Sequence, residues 1–381
     1  RIYTYGAAVK EVSWERVKEK KKGEINKSLE KIAEKVKYRN GRIKPSVKTK
    51  ALFYFMSKLH KKGFFPVDDE YWKEKAGAER SGRGKINSKG MQYMRIADNW
   101  TEYRIIDTTS QEKLESWNGI LLIRPDPQII WKTSHKSPLW DRAQGHYHRS
   151  SSGGGKWSFT KKPPESWEIS YGELKFNIKP TGFKHTGLFP EQAVNWDFMT
   201  NKIKNAGRPV SVINLFAYTG GATLACAKAG ASVCHVDASK GMVNWARENA
   251  ALSGLADKPI RWLVDDCGKF IEREIRRGRK YDAIIMDPPS YGRGPGGEVW
   301  KLEDGIFDLV KLCAGALSND PLFFLINSYT TGLSPSVMGY ILGETVCSKY
   351  GGEVSFDEIG LPVEKSGLCL PCGSTAIWQK G

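Results

Sequence analysis

The chain has 381 residues, 40% of them apolar and 11% aromatic, enough for a sizeable core and, as a prior, two to three domains. Collagen, coiled coil and wholesale disorder are excluded on composition. Lys and Arg outnumber Asp and Glu by 59 to 42; the first 90 residues alone hold 25 against 11, and the other 291 hold 34 against 31. The positive charge therefore belongs to an N-terminal segment. Seven scattered Cys argue against a secreted disulfide framework and for free thiols in a reducing cytosol. No apolar run approaches the ~20 residues that span a bilayer, and the N-terminus lacks a secretory signal. These features predict a soluble, cytoplasmic protein without a membrane partner.

Residues 1–90 read as a basic helical segment. Ile25, Leu29, Ile32 and Val36 recur at helical spacing on a Lys/Glu background, Ala51 to Leu59 suggests a second helix, and Ala76 to Lys85 has linker composition. From 91 to 184 short runs rich in β-branched and aromatic residues predict a smaller β-rich domain, with strands at Gly119–Arg124, Gln128–Trp131, Trp167–Tyr171 and Leu174–Ile178. Ser150 to Lys156 reads as a loop. From 185 to 381 strands and helices alternate. Strands are expected at Val212–Phe216, Ser232–Val236, Ile260–Val264, Ala283–Met286 and Leu322–Ile326, with helices at Ala222–Ala229 and from the Ser239 cap to Leu252. This alternation predicts an α/β fold with a parallel sheet covered on both faces, whose ligands bind beyond the carboxyl ends of the strands.

Those ends carry the chemistry. The first reads Asn214-Leu-Phe-Ala-Tyr-Thr-Gly-Gly-Ala-Thr223, where Gly220 and Gly221 allow a sharp turn and close approach of a ligand. It is neither the G-x-G-x-x-G fingerprint nor a Walker loop. The second ends at Asp237, 17 residues after Gly220, where a carboxylate accepts from vicinal ribose hydroxyls or caps the next helix. The third runs into Asp265-Asp266, and Asp266 either receives an adenine amino group or caps a helix. The fourth delivers Asp287-Pro-Pro-Ser-Tyr291. Two prolines remove two N–H donors, so Asp287 and the Pro288 carbonyl form an acceptor-only cluster suited to an amino group that attacks an electrophile. Tyr291 offers a flat face for a planar ring.

With Val-Asp-Ala-Ser and Asp-Asp-Cys between them, the first and fourth of these motifs resemble the class I S-adenosylmethionine-dependent methyltransferases, in particular the bacterial branch with the 23S ribosomal RNA large-subunit enzymes. The resemblance covers about 91–381 and includes Thr186-Gly-Leu-Phe-Pro-Glu-Gln192. It implies a Rossmann-like, seven-stranded sheet whose last strand, near Ser374–Trp378, is antiparallel. It also implies S-adenosylmethionine contacts from Phe216, Tyr218, Gly220, Asp237 and Asp266, from Phe189 and Gln192 in the preceding segment, and Asp287 and Pro288 near the methyl group. The expected partner is RNA, ribosomal by resemblance.

Methylation at C5 of cytosine needs a Cys nucleophile, and members of this branch that perform it are expected to carry it after the fifth strand. Here that place reads Ile326-Asn-Ser-Tyr-Thr-Thr331, so the expected acceptor is a base nitrogen. The sulfonium donor calls for no metal. Cys369-Leu-Pro-Cys372 has no second pair nearby, and His146 and His148 have no third ligand, so packing roles are expected. Gly292 to Gly297 reads as a lid or a surface loop. The basic segment is an RNA-binding arm, a solvated helical hairpin, or a fused remnant: Lys62 to Lys75 resembles the C-terminal tail of flavodoxin-like NAD(P)H-dependent FMN reductases. The alternatives to RNA methylation are a small-molecule or protein acceptor, and a non-catalytic RNA-binding protein that retains the fold.

Overall fold

A computed structural model of the chain describes residues 94–133, 137–150, 154–182, 184–293, 299–330 and 332–381. The basic N-terminal segment, its two expected helices and its linker lie outside the described residues. Three strand predictions in the β-rich part hold: β4 (Ile120–Pro125), β7 (Trp167–Tyr171) and β8 (Leu174–Ile178). With β2 (Tyr103–Thr109), β3 (Glu112–Trp117), β5 (Gly145–Arg149) and β6 (Gly155–Phe159), β4 makes a five-stranded sheet in chain order, antiparallel except between β4 and β5. The strands β7 and β8 form a separate hairpin.

Three expectations need correction. Gln128–Trp131 is not a strand: its N–H groups are spent on local turns, Gln128 N on Asp126 Oδ1, Ile129 N on Asp126 O and Ile130 N on Gln128 O, while its Ile129 and Trp131 carbonyls accept from Gln111 N and Ser110 N in the β2–β3 turn. The loop expected through Lys156 ends sooner, since Ser150 N bonds to Gly154 O at 3.1 Å and Gly155 and Lys156 already belong to β6. The stretch assigned to the β-rich domain also begins with a strand of the other sheet, β1 (Met94–Ile96), which pairs in parallel with a late strand through Met94↔Glu358 and Ile96↔Gly360.

That larger sheet follows α1 (Ala193–Lys204) and holds β9 (Ser211–Leu215), β10 (Ser232–Asp237), β11 (Ile260–Val264), β12 (Ala283–Met286), β15 (Phe323–Ser328), β16 (Glu353–Pro362) and β17 (Cys369–Gln379). A short hairpin, β13 (Tyr291–Arg293) with β14 (Val299–Lys301), leaves the sheet after β12. The helices between are α2 (Gly221–Lys228), α3 (Lys240–Leu252), α4 (Cys267–Arg276), α5 (Leu302–Ala314) and α6 (Pro335–Leu342). The order is β1-β16-β17-β15-β12-β9-β10-β11, parallel except for β17. The sheet therefore has eight strands instead of seven, and its last strand is antiparallel as the resemblance implied.

Strands β12 and β15 are buried at every residue, as a sheet covered on both faces requires. Successive residues serve opposite faces: Phe324 packs with Phe270, Leu309 and Trp378, and Phe323 with Met199 and Ile285. A third apolar cluster joins Trp117 and Phe176 of the β-rich part to Trp196 and Leu224 of the larger unit, so both share one core. Because the chain runs β9 to β11 outward on one side and places β12 on the other, the crevice for a ligand opens between β9 and β12.

Candidate functional site

The turn after β9 is strained beyond its glycines. Phe216 and Tyr218 have φ of 56° and 51°, and Gly220 has 90°. A non-glycine residue there costs ~1–3 kcal/mol, and the surroundings hold it in place. Tyr218 N donates to Asp237 Oδ2 at 2.9 Å, Phe216 N to Cys267 Sγ at 3.3 Å, and Asn249 Nδ2 to Thr219 O at 2.9 Å. A Cβ on Gly221 would meet the Trp196 ring at 2.5 Å, so only glycine lets α2 start here beneath α1.

Asp237 closes β10. Its Oδ1 accepts from Ser239 N at 2.8 Å and its Oδ2 from Tyr218 N. Burial nevertheless raises its carboxyl, the two backbone bonds only partly opposing this, so it has appetite for further donors. Ser239 caps α3, accepting from Met242 N at 3.4 Å. Asp266 is exposed and caps α4 by accepting from Lys269 N at 2.8 Å. The capping alternative thus describes its Oδ1.

At the end of β12 burial, and secondly the charge of Glu191, push the Asp287 carboxyl up to about 7. Pro288 behind it is buried. Tyr291 opens β13 with half of its surface in solvent. Opposite Asp287, the 3₁₀ turn Pro190–Gln192 precedes α1. Gln192 Oε1 accepts from Asn195 Nδ2 at 2.9 Å and Asn327 Nδ2 at 2.6 Å, while its Nε2 donates to Tyr329 OH at 2.7 Å. Arg95 on β1 donates to Asn195 Oδ1 at 2.7 Å, so the eighth strand anchors this network.

One cleft gathers Phe189, Gln192, Phe216, Tyr218 and Asp287 from the predicted set, together with Asn214 and Asn327. Gly220, Asp237, Asp266, Pro288 and Tyr291 stand outside its lining: Gly220 and Asp237 shape the turn, Asp266 belongs to the neighbouring strand end, and Pro288 and Tyr291 follow Asp287 away from the cleft. Sequence reasoning missed Asn195, Asn214, Asn327, Tyr329 and Glu191. A signal was present, since Asn214 and Asn327 interrupt apolar strands and Gln192 and Asn195 lie three apart on one helical face.

None of the Cys and His residues singled out in the sequence lines this cleft. Cys267 and Cys313 are buried and their thiols pushed up by burial. Cys369 and Cys372 are free. The His146 and His148 rings lie 4.0 Å apart at a tilt of 39°, with His146 Nε2 2.6 Å from Glu112 Oε1. Among the described residues no group of three or more potential ligands could hold a metal, and no helix is long and apolar enough to cross a membrane.

The comparisons bear on the same region. The family model for S-adenosylmethionine-dependent methyltransferase matches residues 129–300. A ribosomal RNA large subunit methyltransferase K/L from Shewanella frigidimarina is 38% identical over 122 residues, 32% of this chain and 16% of that protein. Its namesake from Pseudoalteromonas atlantica is 31% identical over 166 residues, 43% of this chain and 22% of that protein. The chain thus aligns with about a fifth of the length of these curated relatives. A putative S-adenosylmethionine-dependent methyltransferase from Streptococcus mutans shares the fold at 16% identity and TM-score 0.57, covering 74% of this chain and 76% of that one. An S-adenosylmethionine-dependent methyltransferase from Agrobacterium tumefaciens superposes with TM-score 0.70 at 34% identity, covering 78% of this chain and 100% of that one. Likeness along the whole of that Agrobacterium protein means that this chain belongs to the class I S-adenosylmethionine-dependent methyltransferases, whose cofactor is S-adenosylmethionine.

Proposed function

We propose that the protein is a cytoplasmic enzyme that methylates a base nitrogen of RNA, ribosomal RNA by its local similarity to the large-subunit enzymes. The observation that carries this reading is Asp287: a carboxylate short of donors, followed by two prolines, in the same cleft as the strained turn after β9.

The residues present fit the cofactor. Asp237 has lone pairs left for vicinal hydroxyls after accepting two backbone N–H groups, and the second oxygen of Asp266 is left for an adenine amino group. Phe189, Phe216 and Tyr218 wall the cleft with rings, the Phe189 and Tyr218 centroids 5.5 Å apart. Gly220 keeps the backbone close, and Gln192, held rigid by Asn195 and Asn327, presents a fixed amide. S-Adenosylmethionine, when bound, supplies a methyl group already activated by its sulfonium. What the chain must add is position and exclusion of water. Asp287 and the Pro288 carbonyl hold the hydrogens of the acceptor amino group so that its lone pair faces the cleft, and Tyr291 stacks on the ring.

No covalent Cys takes part in this scheme. Tyr329 stands beyond β15 where a nucleophile is expected, and burial keeps Cys267 and Cys313 as neutral thiols, the form that is not nucleophilic. Nor does methyl transfer from a sulfonium call for a metal. The part from β2 to β8, sharing a core with the catalytic sheet, docks the substrate in a fixed orientation.

The test is incubation of ribosomal RNA with labelled S-adenosylmethionine, followed by nucleoside mass spectrometry. The expected result is one N-methylated nucleoside, formed at a rate that falls steeply with salt as phosphate contacts are screened. A C-methylated pyrimidine overturns the nitrogen assignment. Salt-independent transfer to a small molecule or protein side chain overturns the RNA assignment.

A further inference from the structure

Beside the cofactor cleft, and sharing its Leu188 and Phe189 walls, lies a second cavity of about 860 Å³ including its open mouth. Its far side comes from β3 and β4 and carries Lys113 and Arg124; its near side carries Lys184, Glu191 and Tyr329. Nothing in the methyl-transfer scheme uses this space.

Its charged groups are not equally engaged. Arg124 is committed: Nε donates to Glu115 Oε2 at 2.6 Å and Nη1 to Lys184 O at 3.1 Å. Lys113 sits between Glu115 at 3.6 Å and Asp126 at 3.4 Å. The Lys184 ammonium makes no close ion pair among the described residues; burial lowers its pKa, the charge of Asp126 opposes this from a distance, and Lys113, Arg124 and Arg149 add repulsion. At the other end, only 6% of Glu191 is exposed. Burial raises its carboxyl, opposed by Lys113, by the backbone N–H of Glu191 itself, by Arg124 and by a hydrogen bond from Tyr329. Tyr329 feels the charges of both Glu191 and Asp287, and its ring lies 5.3 Å from that of Phe189. The second cavity therefore continues from the point where Asp287 would hold the reacting amino group.

We propose that this cavity receives the remainder of the acceptor nucleotide, with the Glu191 carboxylate accepting from N–H groups on the base edge away from the methylated atom and the Lys184 ammonium binding the nucleotide's phosphate. The assignment rests on the base-nitrogen reading above and adds to Asp287, Pro288 and Tyr291 the groups that grip the rest of the same nucleotide. A carboxylate selects edges with N–H donors and repels edges made only of acceptors. An ammonium outside any close ion pair selects a phosphate over a neutral nucleoside.

The experiment titrates the four nucleoside 5′-monophosphates and the four nucleosides into the full chain loaded with S-adenosylhomocysteine, by calorimetry. At least one monophosphate is expected to bind about tenfold more tightly than its nucleoside, the scale of one charge-assisted contact. Lys184→Ala should erase that preference, and the isosteric Glu191→Gln should weaken monophosphate and nucleoside alike by about tenfold. Retained S-adenosylhomocysteine affinity certifies that each variant is folded. No mononucleotide binding, inorganic phosphate binding as tightly as the nucleotides, or unchanged preference in Lys184→Ala overturns the proposal. A wild-type chain that methylates RNA while both variants do so at the wild-type rate sinks this assignment alone. A wild-type chain that methylates no RNA sinks the broader reading, and the titration still decides the cavity.

Discussion

Replacing Asp287 by Asn removes a charge and keeps the shape, which makes the energetics of this carboxyl measurable. Burial, and then Glu191, raise it from 3.8 to about 7. A raised acid disfavours the ionised folded state. The penalty is absent where the carboxyl is protonated both folded and unfolded, grows as pH climbs from ~4, and is complete above ~7. At 1.36 kcal/mol per pKa unit its ceiling is ~4 kcal/mol; the side chain keeps part of its surface in water, and solvent screening reduces that to ~1–2 kcal/mol. Without ligand, Asp287→Asn should therefore melt a few degrees higher than the wild type at about pH 8, at ~2–4 °C per kcal/mol. The advantage should shrink by more than half by about pH 5. The same variant should lose methyl transfer by ~100-fold or more, the cost of removing a preorganised acceptor. Thermal melts across pH and initial rates with labelled S-adenosylmethionine read both effects. Equal or lower stability of the Asn variant at about pH 8 would refute the burial argument, and an undiminished rate would refute the role of Asp287.

Three further outcomes follow from the same geometry. Asp237→Ala should weaken S-adenosylmethionine binding by ~1–3 kcal/mol in calorimetry, because it removes a charged acceptor and frees the Tyr218 N–H that it holds. Gly221→Val should lower stability to urea by ~1–3 kcal/mol through overpacking, since its Cβ would lie 2.5 Å from Trp196. Glu115→Gln should cost ~3–5 kcal/mol, also read by urea unfolding, because it strands Arg124 and Lys113. Burial works against the Glu115 charge, yet Arg124 and Lys113 hold its carboxyl down to about 2. Its stabilisation is therefore present above the ordinary carboxylate range and lost as pH falls through about 2.

Much of the larger sheet is legible in the chain because its signals are local. Apolar runs such as Ala283–Met286 and Ile260–Val264 are strands within the predicted bounds, and Ser239 caps α3 because its hydroxyl needs only the next turn. The β-rich part is harder to read. Strands such as Glu112–Trp117 mix charged and apolar residues because Glu115 is buried against Arg124 and Lys113, a pairing visible only when β3 and β4 lie side by side. Gln128–Trp131 has strand composition but no neighbouring strand to complete a ladder.

For the site, the strand-end motifs by themselves determined the candidate acidic residues, the twin glycines and the proline pair, because parallel strands bring their carboxyl ends to one edge of the sheet. Only tertiary structure decided which of these share a cleft, that Asp266 spends an oxygen on a helix cap, and that Arg95 of an eighth strand steadies Gln192 through Asn195. Tertiary structure also put Glu191 and Lys184 around a second cavity. These facts depend on burial and on distances between segments a hundred residues apart, and neither quantity is written in local composition.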